Sequence, residues 1–269
     1  MDAETFTDKN VIELSKKFVV LKVNPQDTDH PENAEMVRKY GITYYPTIAF
    51  FSPDRHLISS NTGYIPPGQF SELMKKTLKE EKELESLRAK VQKNPDNLKA
   101  NVSLAMIYIK RGNLAKGRTL VNTISALDPK NQSKFFKKVY AQMALVNVNQ
   151  SNIKDGQALL DKASDLDLKD ESAYLPKLHV NFGLFYGQNG QSNKNYLQKA
   201  EEHFKAVTRK YPQSEFYEPA QLYLGITYSL QGKNSMAISL LEKLSSHTQN
   251  ADMQNRIADI LESLRNQSE

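Results

Sequence analysis

Apolar positions along the 269 residues follow two different rhythms. In residues 17–64 they come as short blocks: Lys17–Val23 (KFVVLKV), ending at Asn24-Pro25; Thr47–Phe51 (TIAFF); and Leu57–Ser60, after the turn at Pro53-Asp54. Runs rich in β-branched and aromatic residues, bounded by turn formers, predict three strands. Between the first two, the polar stretch Glu32–Tyr40 predicts a helix, with Gly41 in the position that ends one. After Gly63-Tyr64, Pro66-Pro67 opens another helix, because a first-turn proline loses no intrahelical hydrogen bond. Strand, helix, strand, strand, helix is an α/β order.

From about residue 68 the period turns helical and stays so. Phe70–Gln92 carries apolar Phe70, Leu73, Leu78, Leu84, Leu87 and Val91 among opposite charges at i,i+4 spacing. Its first half can pack on the strands, and its Glu- and Lys-rich second half suits a connecting helix. The division expected is an α/β part over 1–80, a linker helix over 81–93 and an all-α part over 94–269.

The all-α part repeats itself. Segment one has Leu104-Ala105, Tyr108, Gly112, Gly117, Val121, Ile124 and Pro129. A weaker second has Met143-Ala144, Gly156, Leu160 and Ala163. Segment three has Phe182-Gly183, Tyr186, Gly190, Ala200, Phe204, Val207 and Pro212, and segment four has Leu224-Gly225, Tyr228, Gly232, Ala237, Leu241 and Leu244. The anchors at 105, 144, 183 and 225 are 39, 39 and 42 residues apart. The pattern resembles the tetratricopeptide repeat, in which small residues let antiparallel helices approach and large ones fill the holes. The resemblance implies packing roles for Ala105, Tyr108, Gly183, Tyr186, Ala200, Phe204, Gly225, Tyr228 and Ala237. Segment three departs by extra residues (GQSNKNYL) between its helices. Segment two carries Asn147 and Leu168 where the family has Tyr and Pro, and the period exceeds the usual 34 or so. Ala251–Arg265 reads as a capping helix with a polar outer face. The phrase YPQSEFYEPAQLYLGITYSLQGK is also similar to repeats of bacterial envelope proteins, a weak guide to role.

The first part resembles the C-terminal portion of the thioredoxin-like superfamily, through KFVVLKVN, VRKYGITYYPTIAFFSPD and GYIPPGQFSELMKK. Tyr45-Pro46-Thr47 stands at the family's xPT motif and Gly63 at the glycine before its last helix. The resemblance implies a cis Tyr45–Pro46 bond and a peptide-binding role for Tyr45 and Pro46, whose family counterparts offer backbone hydrogen bonds to a bound peptide. The departure is at the start: MDAETFTDKNVIEL looks like the continuation of the WCxxC helix, and neither that motif nor the strand leading into it is present. That strand lies between the two matching Phe18–Val23 and Thr47–Phe51, so the domain is incomplete, with unpaired edges and exposed apolar faces expected. Two explanations stay open. The chain starts at an internal Met of a longer product with an export signal and a CxxC, or the half-domain is genuine and is degenerate, rearranged or completed by a partner strand.

Composition narrows the chemistry. With no cysteine, the chain as given has no disulfide, thiolate metal site, Cys nucleophile or CxxC exchange. The 11 Phe and 13 Tyr spread along it argue against disorder. No apolar stretch is long enough to span a membrane, and the acidic N-terminus does not read as a signal peptide. Net charge is +5, and the basic residues mix with acids except in short runs such as Lys134, Lys137 and Lys138, so no nucleic-acid partner is expected. His30, His56, His179, His203 and His247 are isolated in sequence and predict no metal site. Asp27, Asp29, Glu32 and Glu35 suit the start of a helix. Asp161, Asp165, Asp167 and Asp170 lack the glycine and terminal Glu of a calcium loop. There is no phosphate loop, GxSxG or Rossmann fingerprint, and no cofactor is expected.

The reading is an incomplete thioredoxin-like domain plus a tetratricopeptide-type helical solenoid: a protein–protein interaction module whose groove takes a protein or peptide, with Asn101, Lys137, His179 and Gln221 as candidate groove positions. The alternative is an N-terminally truncated thiol-disulfide oxidoreductase, and a third is an envelope assembly scaffold. The location would be periplasmic with an upstream export signal and cytoplasmic otherwise. Residues 95–265 are expected to fold alone, and residues 1–80 alone to aggregate or stay unfolded.

Overall fold

The computed structural model describes residues 1–27, 29–166, 174–191 and 193–266. They form two compact units, Met1–Pro129 and Lys130–Glu269.

The first unit opens with turns over residues 2–7 rather than one helix running from Met1. The helix begins only at α1 (Lys9–Ser15), where the Asp8 carboxylate caps the Asn10 and Val11 N–H groups. The buried Thr5 hydroxyl donates to the Ile65 carbonyl at 2.7 Å and ties the turns to the rest of the unit. α2 (Pro31–Lys39) starts on proline and has Arg38 and Lys39 in its last turn, where they oppose the helix dipole. β1 (Thr47–Phe51) and β2 (Leu57–Thr62) pair antiparallel, Thr47 opposite Thr62 and Phe50 opposite Ser59, with an irregularity between Phe50 and Phe51.

The expected strand over Lys17–Val23 does not form. Residues 17–24 have no ladder partner, and Val19, Val20 and Leu21 are exposed at 91, 70 and 72%. β-branched composition makes a segment fit a sheet but cannot supply the neighbouring backbone that turns it into a strand. Phe18 alone of this run reaches the core, against Phe50 at a ring distance of 5.5 Å.

α3 (Pro67–Lys93) is a single helix serving two cores. Its first half buries Phe70 and Met74 with Val11, Phe50 and Ile65. Its second half buries Leu84 and Leu87 against Ala100, Leu104 and Tyr108 of α4 (Leu98–Lys110). The Glu81 carboxylate pairs with the largely buried Arg111 guanidinium at 2.5 Å, locking α3 to the end of α4. α5 (Leu114–Leu127) folds back on α4, its N-terminus capped by Asn113.

The second unit is a row of helix hairpins: α6 (Phe135–Asn149) with α7 (Ile153–Asp165), α8 (Tyr174–Gln188) with α9 (Lys194–Lys210), and α10 (Tyr217–Leu230) with α11 (Asn234–His247). α8 packs on α6 and α10, so each hairpin's first helix stacks on the next, and α12 (Ala251–Asn266) closes the row against α11. Ile257, Leu261 and Leu264 form its buried stripe. Leu168, Asp167 and Asp170 lie outside the described residues. Among the described residues no helix is long and apolar enough to cross a membrane.

Candidate functional site

Three regions collect the side chains that chemistry or recognition could use. The first surrounds Pro46. The Tyr45–Pro46 peptide bond is cis. The Pro46 carbonyl accepts from the Gly63 N–H at 2.8 Å, and the Thr47 hydroxyl donates to the Tyr44 carbonyl at 2.7 Å, so the turn is held from both strands. Tyr44, Tyr45 and Tyr64 are exposed, and the Tyr64 hydroxyl donates to the Glu4 carboxylate at 2.6 Å. This surface is aromatic, with the Thr47 hydroxyl and the Glu4 carboxylate at its edge.

The second region joins the hairpin turn to the first helix pair. The Asp54 carboxylate accepts from the Ser52 hydroxyl at 2.6 Å and from the Lys116 ammonium at 2.9 Å, and Arg88 lies 3.5 Å away. The Ser52 hydroxyl, then the Lys116 ammonium, hold this carboxyl well below the usual carboxylate range. His56 Nε2 meets the Asn113 amide at 2.8 Å. Tyr108 takes the Arg88 Nε–H on its hydroxyl at 2.8 Å, with the Lys116 ammonium 5.1 Å from its ring centre.

The third region is the interior of the repeats. Ala105 on α4 is fully buried, as are Ala200 and Phe204 on α9 and Ala237 on α11. A methyl added at Gly183 would lie 2.5 Å from the Phe204 ring, and one at Gly225 2.7 Å from Leu241, so at both places the helices are as close as glycine allows. Tyr108, Tyr186 and Tyr228 are buried. Lys205 and Lys233 each sit 5.6 Å from the Tyr228 ring centre while both donating to the Glu201 carboxylate. Burial would raise the Glu201 carboxyl, but hydrogen bonds from Lys205, Lys233 and Gln231 outweigh it and hold the group at about 2.

Of the candidate groove positions, Asn101 is buried, its amide donating to the Pro95 and Asn97 carbonyls at 2.7 and 3.0 Å. It is therefore a loop tether and not a groove residue: helical phase cannot separate a face turned to a groove from one turned to a neighbouring loop. Lys137 and Gln221 are half-buried on α6 and α10. His179 is half-buried too, and it meets His203, a pairing that sequence reading missed because the two are 24 residues apart on different helices. Among the described residues no group of three or more His, Asp or Glu could hold a metal ion.

Residues 1–78 match the family model of a thioredoxin-like domain, and residues 84–142 match a tetratricopeptide-repeat model. No curated protein matches the chain. The chain joins a thioredoxin-like domain to helical repeats of the tetratricopeptide type.

Proposed function

We propose that this fusion is a non-catalytic protein-interaction module in which the repeat helices hold an extended segment of a partner protein. The observation carrying the reading is the tight helix stacking at Gly183–Phe204 and Gly225–Leu241. A row of helices held that closely is preformed, so the ordering entropy of binding falls on the partner alone. Repeats also suit this role because each helix pair adds a stretch of surface of the same kind. In this reading the thioredoxin-like part is redox-inactive and contributes contact surface at Tyr44, Tyr45 and Tyr64.

The test is to identify proteins captured by the full chain and measure their direct binding by calorimetry. The measurement is repeated with Lys137→Glu combined with Gln221→Ala on α6 and α10. At least a 10-fold weaker Kd with an unchanged melting temperature is the expected result. A partner that binds the variant equally, or no partner that binds the purified chain, would overturn the proposal.

A second reading is favoured by the match of residues 1–78 to a thioredoxin-like domain, with Tyr45 exposed beside Pro46. Here the module serves a thiol-disulfide oxidoreductase, its cysteines lying on a segment other than this cysteine-free one. Intact mass and thiol alkylation of the protein from its native cells separate the readings: two alkylatable thiols support the second, and none supports the first.

A further inference from the structure

α8 and α9 face each other across an aromatic layer in which two imidazoles meet. His179 on α8 and His203 on α9 place their Nδ1 atoms 3.0 Å apart. Phe182 stacks on the His203 ring at 5.0 Å and 12°, and Tyr186 stacks on it at 5.7 Å. Tyr211, just past the end of α9, approaches His179 at 6.3 Å. His203 is 9% exposed, so little water reaches the contact.

Two ring nitrogens at that separation share one hydrogen: one Nδ1–H donates and the other Nδ1 accepts. One added proton can go to the donor ring's far nitrogen and leave the bond in place with charge assistance. A second proton must put N–H groups on both facing nitrogens, setting donor against donor and charge against charge.

We propose that the His179–His203 pair is an acid-sensitive catch on the α8–α9 hairpin, which stays closed while the pair carries at most one added proton and opens when it takes the second. The inference concerns the response of the second unit to acid and does not rest on what the repeats bind.

The surroundings push the same way. Burial, and then the Lys210 charge, lower His179, while Asp161 on α7 opposes them. Burial, then His179 itself and Lys199, lower His203. Thus α9 contributes two cations and α7 one anion, with Tyr186 and Tyr211 as the titratable ring neighbours. Unfolded histidine takes its proton near about 6.5. Between that pH and the value of about 4 to which His179 is lowered, the unfolded chain binds more protons than the folded one. Stability is therefore full above that window and falls as pH falls through it, about 10-fold in the folding constant per pH unit for each proton of difference.

The experiment is denaturant unfolding of the full chain from about pH 7 to about pH 3, unsubstituted and as His203→Asn, alongside an NMR titration of the His179 and His203 imidazoles. An asparagine amide can keep one hydrogen bond to His179 but cannot titrate. The expected result is that the His179 and His203 imidazoles of the unsubstituted chain titrate well below about 6.5, and that His203→Asn flattens the pH dependence of the folding constant by about 10-fold per pH unit. The proposal is overturned if these two imidazoles titrate near about 6.5, or if the variant folds and keeps the full slope. The NMR titration decides the question on the unsubstituted chain even if the variant fails to fold.

Discussion

At Gly183 an added methyl has nowhere to go: three atoms of the Phe204 ring would stand 2.5 to 2.9 Å from it, and that ring is 1% exposed. Gly183→Ala is therefore expected to destabilise the chain by about 1–3 kcal/mol, through forced repacking. Gly187, one turn along the same helix, has nothing within 4 Å of its added methyl. Gly187→Ala should be neutral or stabilise by up to about 1 kcal/mol, because alanine loses less backbone entropy in a helix. Urea unfolding of both variants measures the difference, and equal effects would sink the close-packing argument. The two buried asparagines make a second contrast. Asn101 donates to two loop carbonyls, whereas Asn147 donates only to the Met143 carbonyl one turn back, and both Oδ1 atoms lack a partner among the described residues. Asn101→Ala is expected to cost about 1–3 kcal/mol and Asn147→Ala less than about 1 kcal/mol. At this scale the small-then-large pattern of the repeats was readable in the sequence, because each repeat restates it. The asparagines were not, since a buried polar side chain is defined by partners the sequence does not name.

At the scale of elements, local signals set the type of segment and distant partners decide whether it forms. α2, β1, β2 and α3 lie where apolar period and turn residues put them, within a few positions. Lys17–Val23 has strand composition but no strand, since no backbone lies alongside it. The contact of the β1–β2 turn with the first helix pair was equally hidden: Asp54 and Lys116 are 62 residues apart. Both are more than one-third exposed, so this ion pair orients the turn more than it stabilises it. An Asp54→Ala, Lys116→Ala double-mutant cycle is expected to give a coupling below about 1 kcal/mol at low salt. In about 1 M salt, where the screening length is about 3 Å, the coupling should fall further. A coupling of several kcal/mol would show instead that the contact holds the turn in place.

For the whole molecule, the two compact units predict where the chain can be cut. Each has its own core, and α3 feeds both cores of the first unit. Fragments 1–129 and 130–269 are expected to unfold cooperatively on their own, as followed by circular dichroism. A fragment ending at residue 80 loses Leu84 and Leu87 together with the helix pair they cover, and should aggregate. Cooperative melting of 1–80 would show that α3 does not need its second half. The sequence by itself determined the change from short strands to long helices, the repeating small-residue contacts and the lack of cysteine in this chain, because period and composition act within a few residues. Only the tertiary structure decided that Lys17–Val23 goes unpaired, that Asp54 meets Lys116, and that two histidines in different helices meet. Those outcomes depend on which distant segments meet, and no local pattern encodes the closing of such long loops.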